Sequence, residues 1–206
     1  QNSNGDVAMP DIPRVSTPPL AEPVPLDTPR FADLGKENLL HPVLLKTITE
    51  NMKFDHMMPV QAATLHDLLE KRIDVLAQAK TGTGKTIAFL LPAIQTMLNK
   101  NRGANSGISL LVISPTRELA MQIAKEAGQL LQNLPQFKVS FAIGGTNKDR
   151  EEKAILSKEG CDILIATPGR LYAHLSSERV RNAFRNLDTL VLDEADRLLD
   201  MGFMAA

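Results

Sequence analysis

The sequence predicts an α/β protein built on an open, mostly parallel sheet with helices on both faces. Three short apolar runs, at residues 110–113, 163–166 and 190–192, have the continuous pattern of parallel strands that are buried on both sides. Segments with helical spacing separate these runs, so that strands and helices alternate along the chain. With 206 residues, of which 43% are hydrophobic and 23% charged, the chain has room for one domain with a sizeable core.

The first 30 residues differ in character from the rest. Seven of the thirteen prolines lie between Pro10 and Pro29, among few aliphatic residues and without periodicity. This composition is typical of an extended linker or a disordered extension. We therefore predict a Pro-rich arm over residues 1–30 and one folded domain over residues 31–206.

Two weaker strands, at residues 73–78 and 139–143, complete the predicted sheet. Helical spacing predicts the intervening helices at Pro59–Leu69, Gly84–Leu98, Arg117–Leu131, Lys148–Leu156 and Gly169–Leu175. In a doubly wound sheet, ligands bind outside the carboxyl ends of the strands. The unusual polar clusters of this sequence follow predicted strands, so we expect the function to lie at that edge of the sheet.

Charge and residue counts exclude several classes of function. A formal charge of −1 excludes a basic coat, so any nucleic acid must be held by a local site. The single cysteine, Cys161, lies in a strand-like run and is predicted to be a buried thiol in a reducing compartment. No apolar run reaches the length of a membrane span. The four histidines lack metal-ligand spacing, and each is predicted to be a surface or capping residue: His41, His56, His66 and His174.

A phosphate-binding loop is predicted directly after the strand at residues 73–78. The loop reads Ala79-Lys80-Thr81-Gly82-Thr83-Gly84-Lys85-Thr86 and leads into an apolar helix. Glycines let backbone N–H groups surround an anion, the helix N-terminus adds its positive dipole, and Lys85 supplies a charge. Thr86 is then placed to ligate Mg²⁺. The first glycine of the general pattern is replaced by Ala79.

An acidic cluster, Asp193-Glu194-Ala195-Asp196, follows the last predicted strand. Alone, such a cluster equally suits the start of a helix, where acidic residues complement the dipole. Downstream of a phosphate loop, it favours catalysis. Asp193 at the strand end can hold Mg²⁺ through water, and Glu194 is placed to polarise the water that attacks a γ-phosphate.

Two further clusters each place an arginine in the first turn of a helix. They read Pro115-Thr116-Arg117 and Thr167-Pro168-Gly169-Arg170, with the threonines as expected N-caps and Pro168 in the favoured first turn. A cation in that position opposes the helix dipole, at a cost of a few tenths to about 1 kcal/mol. Either arginine singly is explained by pairing with a nearby acid. Two of them at strand ends favour an anionic ligand such as a phosphodiester backbone.

These motifs, in this order, resemble those of the DEAD-box RNA helicases. Residues 79–86 are similar to the family's phosphate loop, which also begins with Ala, and residues 193–196 spell the family's name. The resemblance implies a RecA-like ATP-binding domain with Lys85, Asp193 and Glu194 as catalytic residues. The phosphate loop and the helix before residue 61 are similar to the fungal mitochondrial branch.

The family's adenine-binding segment is also present, as Met58-Pro59-Val60-Gln61 with Phe54 and Phe31 upstream. The Gln61 amide can donate to N7 and accept from N6 of adenine, a match that guanine cannot make. The resemblance implies that Gln61 selects ATP and that Phe31 or Phe54 stacks on the base. Two residues depart from the family pattern. Lys53 replaces the usual Gly, and Met58 replaces a hydroxyl residue.

The resemblance further implies sequence-independent RNA binding through sugar-phosphate and 2′-hydroxyl contacts. Gly144 and Gly145 belong to this set, because missing side chains let a backbone approach closely. Aromatic residues make up only 4% of the chain, which argues against a base-stacking platform. The expected RNA-contacting residues are Pro115, Thr116, Arg117, Gly144, Gly145, Thr167, Pro168, Gly169 and Arg170.

Family members continue into a Ser-Ala-Thr segment and a second RecA-like domain, and the 206 residues end before either. Because that domain supplies arginines against the γ-phosphate, their loss costs about 10³ to 10⁵ in rate. We therefore expect this chain to bind ATP and Mg²⁺ with little or no RNA-stimulated ATPase activity of its own. The location is expected to be intracellular, with mitochondrial, nucleolar and cytoplasmic sites left open.

Two alternatives are distinguishable from this prediction. A different P-loop ATPase or GTPase needs another base-binding element than Phe54 with Gln61, and comparing ATP with GTP binding separates the two. A non-enzymatic, nucleotide-gated RNA clamp has no need of Lys85, Asp193 and Glu194 together.

Overall fold

A computed structural model describes residues 27–80, 82, 84–102 and 106–202. Residues 1–26 of the predicted Pro-rich arm therefore lie outside the described residues. Thr81 and Thr83 of the phosphate loop also lie outside them.

The five helices that the sequence predicts are confirmed to within two residues at each end. Additional short helices precede and follow them, and α2 continues into a π-helical turn at Thr47–Asn51. No helix within the described ranges is long and apolar enough to cross a membrane. The helices are α1 (Phe31–Lys36), α2 (Pro42–Lys46), α3 (Pro59–Glu70), α4 (Lys85–Asn99), α5 (Arg117–Leu130), α6 (Lys148–Ile155), α7 (Pro168–His174), α8 (Glu178–Ala183) and α9 (Ala195–Asp200).

In the part of the chain that the structure describes, four parallel strands form the sheet, in the order β2-β3-β1-β4. They are β1 (Leu110–Ile113), β2 (Val139–Ala142), β3 (Ile163–Ala166) and β4 (Thr189–Leu192). All four strands are in register, so their carboxyl ends reach the same edge. The predicted α/β class with a parallel sheet is confirmed.

Apolar cores lie on both faces of the sheet, as period-two side-chain alternation requires. Leu110 and Val112 of β1 pack with helices α1 to α5, whereas Leu111 between them packs toward α6, α7 and α8. Continuous apolar runs thus correctly predicted that β1 and β3 are buried on both faces. The same prediction for residues 190–192 is wrong, because β4 lies at the edge of the sheet and Leu190 is 54% exposed. Cys161 lies in the second core and is 2% exposed, as expected of a buried thiol.

The prediction of a strand at residues 73–78 is wrong. This segment pairs with no strand, and its apolar side chains are exposed, with Leu76 97% and Ile73 47% exposed. A strand needs a neighbour for its backbone N–H and C=O groups. Within the described residues, β4 is the edge of the sheet and pairs only with β1. The phosphate loop therefore follows an exposed, irregular segment.

The expectation that every histidine is a surface or capping residue is also wrong in one case. His41 does cap α2, its Nδ1 accepting from the Val43 N–H at 3.2 Å, and His66 has a half-exposed side chain. His174, however, is completely buried, because a carboxylate from α6 is within hydrogen-bonding distance of its ring.

Candidate nucleotide pocket and adjoining groove

A cavity of about 570 Å³ opens at the carboxyl edge of the sheet, between α3, α4, α5 and the end of β4. It brings together most of the residues predicted to bind nucleotide. Those that line it are Phe31, Phe54, Gln61, Gly82, Gly84, Lys85, Thr86, Asp193 and Glu194. Ala79 and Lys80 lie upstream of it in the loop and are not part of its wall.

Gln61 is held firmly at the wall of this cavity and is only 3% exposed. Its Oε1 accepts a hydrogen bond from the Met58 N–H at 2.8 Å, which caps the start of α3. Its Nε2 donates to the Gly84 carbonyl at 3.0 Å. Since the amide has two hydrogens and two lone pairs, one donor and one acceptor site remain for a ligand.

The two candidate stacking aromatics differ sharply in their surroundings. Phe31 is 1% exposed and belongs to the apolar core, and its backbone N–H donates to the Asp55 carbonyl at 3.0 Å. Phe54 is 42% exposed and lines the cavity. A ring must present a free face to stack on a base, so Phe54 is the better placed of the two.

Backbone geometry explains the glycines of the phosphate loop that the structure describes. Gly84, at φ +80°, is the N-cap of the 15-residue helix α4, and any side chain there would overlap the Gln61 amide. Gly82 has φ +77°. Both values lie in the left-handed region that glycine adopts without strain. Lys85 and Thr86 then occupy the first turn of α4, facing the cavity.

Asp193 directly follows β4, and Glu194 is the N-cap residue of α9. Burial raises the pKa of Asp193, and the nearby Glu194 carboxylate raises it further, while the Lys85 ammonium opposes the change. Glu194 has a left-handed backbone, with φ 50° and ψ 53°, and its side chain pairs with Arg197 at 3.4 Å. A non-glycine residue in this conformation costs on the order of 1 kcal/mol and is typical of functional sites.

The donors at the end of β4 and the start of α4 suit a hard divalent cation. The Thr86 hydroxyl and the Asp193 carboxylate both line the cavity, and Mg²⁺ prefers one or two such oxygens together with phosphate and water. No cluster of three or more His, Cys, Asp or Glu side chains that could hold a metal occurs within the described part of the chain. The set therefore fits a cation that arrives with a phosphate ligand.

A second cavity, of about 630 Å³, lies beside the first along the same edge. It brings together nearly all of the residues predicted to contact RNA. Those that line it are Pro115, Thr116, Arg117, Gly144, Thr167, Pro168, Gly169 and Arg170, with Glu118 and Ala173. Gly145 is not in its wall but lies under the Arg117 guanidinium.

The Arg117 guanidinium is a free positive charge in the wall of this second cavity, or groove. It begins the 14-residue helix α5, where Thr116 caps the helix by accepting from the Leu119 N–H at 3.3 Å. Its guanidinium packs over Gly144 and Gly145, so close that a Cβ at Gly144 would lie 3.0 Å from Nη2. Among the described residues it makes no hydrogen bond or ion pair, which leaves it available to an anion.

Arg170 differs from Arg117, because its guanidinium is already engaged. It donates to the carbonyls of Ile143 at 3.2 Å and Thr146 at 2.8 Å, and Nε lies 3.4 Å from a Glu151 oxygen. Arg170 places a positive charge in the first turn of α7, and the Glu151 carboxylate is the anion that balances this charge. Thr167 precedes α7 without a side-chain capping hydrogen bond, contrary to expectation.

The sequence alone did not identify several residues of the nucleotide cavity, or Glu151 behind the second cavity. Gln122, Glu126 and Gln129 of α5 line the nucleotide cavity, and burial raises the pKa of Glu126. Their spacing of three and four residues puts them on one helix face, a signal that was available. Glu151 carried no such signal, because a charged residue in the first turn of α6 resembles an ordinary surface helix.

Several known RNA helicases are similar to this chain. The family model of the DEAD/DEAH box helicases matches residues 58–206. The ATP-dependent RNA helicase mss116, mitochondrial, of Aspergillus fumigatus is 45% identical over 186 residues, covering 85% of this chain and 28% of that protein. The DEAD-box ATP-dependent RNA helicase 26 of Oryza sativa is 50% identical, covering 79% of this chain and 30% of that protein. The chain therefore spans less than a third of the length of these relatives.

Solved structures give the same result. Mss116p bound to ssRNA and AMP-PNP superposes with a TM-score of 0.79 at 35% identity, covering 87% of this chain and 36% of that one. The yeast DEAD-box splicing factor Prp28 gives 0.75 at 33% identity, covering 82% and 40%. Since the family model matches well over half of the residues and the fold agrees, this chain belongs to the DEAD/DEAH box helicase family.

Proposed function

We propose that this chain is the ATP-binding part of an ATP-dependent RNA helicase. The longer protein couples ATP hydrolysis to local unwinding or remodelling of RNA. The observation that carries the proposal is the hydrogen bond from Gln61 to Gly84, which joins an adenine-selecting amide to the phosphate loop. Lys85, Asp193 and Glu194 line the same cavity.

The nucleotide is recognised at both of its ends. The free hydrogen and lone pair of the Gln61 amide take N7 and N6 of adenine, and Phe54 stacks on the base. The backbone N–H groups of Gly82 and Gly84, which line the cavity, take the phosphates, and the α4 dipole and Lys85 neutralise their charge. The names of the structural relatives support this assignment, since one was solved with AMP-PNP.

The Thr86 hydroxyl and, through water, the Asp193 carboxylate would hold Mg²⁺. When bound, the cation would neutralise charge on the phosphate oxygens. Glu194 accepts hydrogen bonds from the attacking water and orients it toward the γ-phosphate. Glu194 has a left-handed backbone at the start of α9 and lines the same cavity.

RNA lies in the second cavity, with its sugar-phosphate backbone across the starts of α5 and α7. Arg117 supplies the free positive charge, and Gly144 and Gly145 permit close approach of the backbone. Gly169 and Arg170 offer backbone N–H groups in the first turn of α7, and the Arg170 side chain holds the turn between β2 and α6. Contacts of this kind are independent of base sequence.

We also propose a mitochondrial location, which the names of the Aspergillus fumigatus and Neurospora crassa relatives support. Imaging of the full-length protein fused to a fluorescent reporter tests this. Co-localisation with a mitochondrial stain is expected, and a nucleolar or diffuse cytoplasmic signal would contradict it.

The experiment for the activity measures ATP turnover by the full-length protein, with and without structured RNA. We expect RNA to stimulate turnover and Lys85→Ala to abolish it, whereas Lys125→Ala on the outer face of α5 serves as a matched control. Under the same conditions the 206-residue chain is expected to turn over ATP at least about 10³-fold more slowly. The proposal would be overturned if RNA did not change the rate of ATP turnover and Lys85→Ala did not lower it.

A further inference from the structure

Glu151 is a buried carboxylate at the centre of a polar cluster behind the second cavity. It lies in the first turn of α6 and is only 5% exposed. Its Oε1 accepts hydrogen bonds from the Ile143 N–H at 3.1 Å and from the Thr146 hydroxyl. Its Oε2 lies 2.7 Å from Nε2 of His174 and 3.4 Å from Nε of Arg170.

These contacts connect two helices, α6 and α7, to one turn. Ile143 and Thr146 belong to the turn between β2 and α6, and Arg170 and His174 lie one helical turn apart on α7. Arg170 reaches back to the same turn through two carbonyls. A buried carboxylate is tolerated only when its oxygens are fully engaged, as they are here.

The turn that Glu151 holds is the one that carries Gly144 and Gly145. The Arg117 guanidinium packs against these two glycines. The conformation of the turn therefore sets both the shape of the groove floor and the resting place of the free Arg117 guanidinium. Glu151 itself does not line the groove.

We propose that Glu151 is a positioning residue for RNA binding. Its carboxylate fixes the turn at residues 143–146 and the Arg170 side chain, so that the starts of α5 and α7 present one preformed surface to a phosphodiester backbone. The inference rests on the proposed function, because it takes RNA as the ligand of the groove. The inference predicts that replacing Glu151 weakens RNA binding and leaves nucleotide binding unchanged.

The test compares Glu151→Ala, Glu151→Gln and the control Asp149→Ala in the 206-residue chain. Asp149 lies on the same first turn of α6 but is exposed, so each change removes one negative charge from α6. Hydrogen exchange of residues 143–147, the dissociation constant of a fluorescein-labelled oligouridylate, and the dissociation constant of a fluorescent ADP analogue are measured. The first reports the turn, the second the groove and the third the integrity of the rest of the fold.

Glu151→Ala is expected to accelerate exchange in the turn and to weaken RNA binding about tenfold, with a shallower salt dependence because one phosphate contact is lost. ADP binding stays within about twofold in all variants. Glu151→Gln retains an acceptor for Ile143 and Thr146, so about threefold weakening is expected. Should Glu151→Ala fail to fold, Thr146→Val replaces it, since it removes one donor to the carboxylate.

Unchanged RNA affinity in Glu151→Ala, while the wild-type chain binds RNA, would overturn this inference alone. Parallel loss of RNA and ADP binding would also overturn it, because Glu151 would then only maintain the fold. A wild-type chain that binds ADP but no RNA contradicts the assignment of RNA to the groove, and with it both proposals.

Discussion

The side-chain amide of Gln61 donates a hydrogen bond to the backbone carbonyl of Gly84 at 3.0 Å, across 23 residues of sequence. The same amide accepts from the Met58 N–H. Gln61, which we propose selects the base, thus also fixes the start of α4, where we propose that the phosphates bind. Under this proposal, base recognition and phosphate binding are mechanically coupled.

Replacing Gln61 with Ala is expected to impair both ends of the nucleotide site. The variant loses the base-binding amide and the bond to Gly84, so affinity for an ATP analogue should fall about tenfold. The preference for ATP over GTP should disappear. Fluorescence titration with labelled nucleotides measures this, with Gln136→Ala, an exposed glutamine outside the cavity, as control. An unchanged preference would show that another group selects the base.

Asp193→Asn tests the metal assignment. Because the amide is a far poorer ligand for Mg²⁺ than a carboxylate, the variant should bind the ATP analogue equally with Mg²⁺ and with EDTA. The wild-type chain should bind it about tenfold more tightly with Mg²⁺. Asp196→Asn, an exposed acid in the first turn of α9, is the matched control. A full Mg²⁺ effect in Asp193→Asn would remove Asp193 from the metal site.

Cys161 should be inert in the folded chain. Burial raises the pKa of its thiol from 9.0 to about 12, so almost no thiolate exists at pH 8. Ellman's reagent should label it only after unfolding in guanidinium chloride. Because the folded pKa is the higher one, the stability that this thiol contributes is complete below pH 9 and is lost as pH rises toward 12. Rapid labelling of the native chain would contradict the buried placement.

Replacing Lys53 with glycine is expected to stabilise the folded chain. It has φ 63°, in the left-handed region, where a side chain costs about 1 to 2 kcal/mol. Lys53→Gly removes this strain but adds chain entropy to the unfolded state, which leaves a net gain of about 0.5 kcal/mol. Thermal unfolding measures the change. The control Lys46→Gly, in α2, should instead lower the unfolding temperature, and the same loss in Lys53→Gly would refute the strain argument.

Local patterns predicted much of this fold. β1 and β3 are buried on both faces, so their continuous apolar runs identified them, and the helices α3 to α7 followed from their spacing. Most residues of the nucleotide cavity could also be identified from the sequence, because the loop at residues 79–86 and the acidic pair after β4 each form a recognisable motif. The residues from 73 to 78 have the composition of a strand, but composition does not supply the neighbouring strand that would pair with them.

The polar cluster around Glu151 was beyond prediction for a different reason. Arg170 has the position of an anion-binding residue, and only the fold brings a glutamate from 19 residues upstream within 3.4 Å of it. His174 was assigned to the surface because its burial depends on the same carboxylate. Charged residues that neutralise one another in the interior leave no periodic trace in the sequence.

Binding of Mg²⁺ and nucleotide to the 206-residue chain tests the central claim most directly. Titration calorimetry of the wild-type chain and Lys85→Ala, with non-hydrolysable ATP and GTP analogues, measures it. We predict that the wild-type chain binds the ATP analogue at least about tenfold more tightly than the GTP analogue. Lys85→Ala should lose most of this affinity while unfolding at an unchanged temperature. Equal affinity for both nucleotides, or full affinity in Lys85→Ala, would contradict an adenine-selective phosphate-loop pocket.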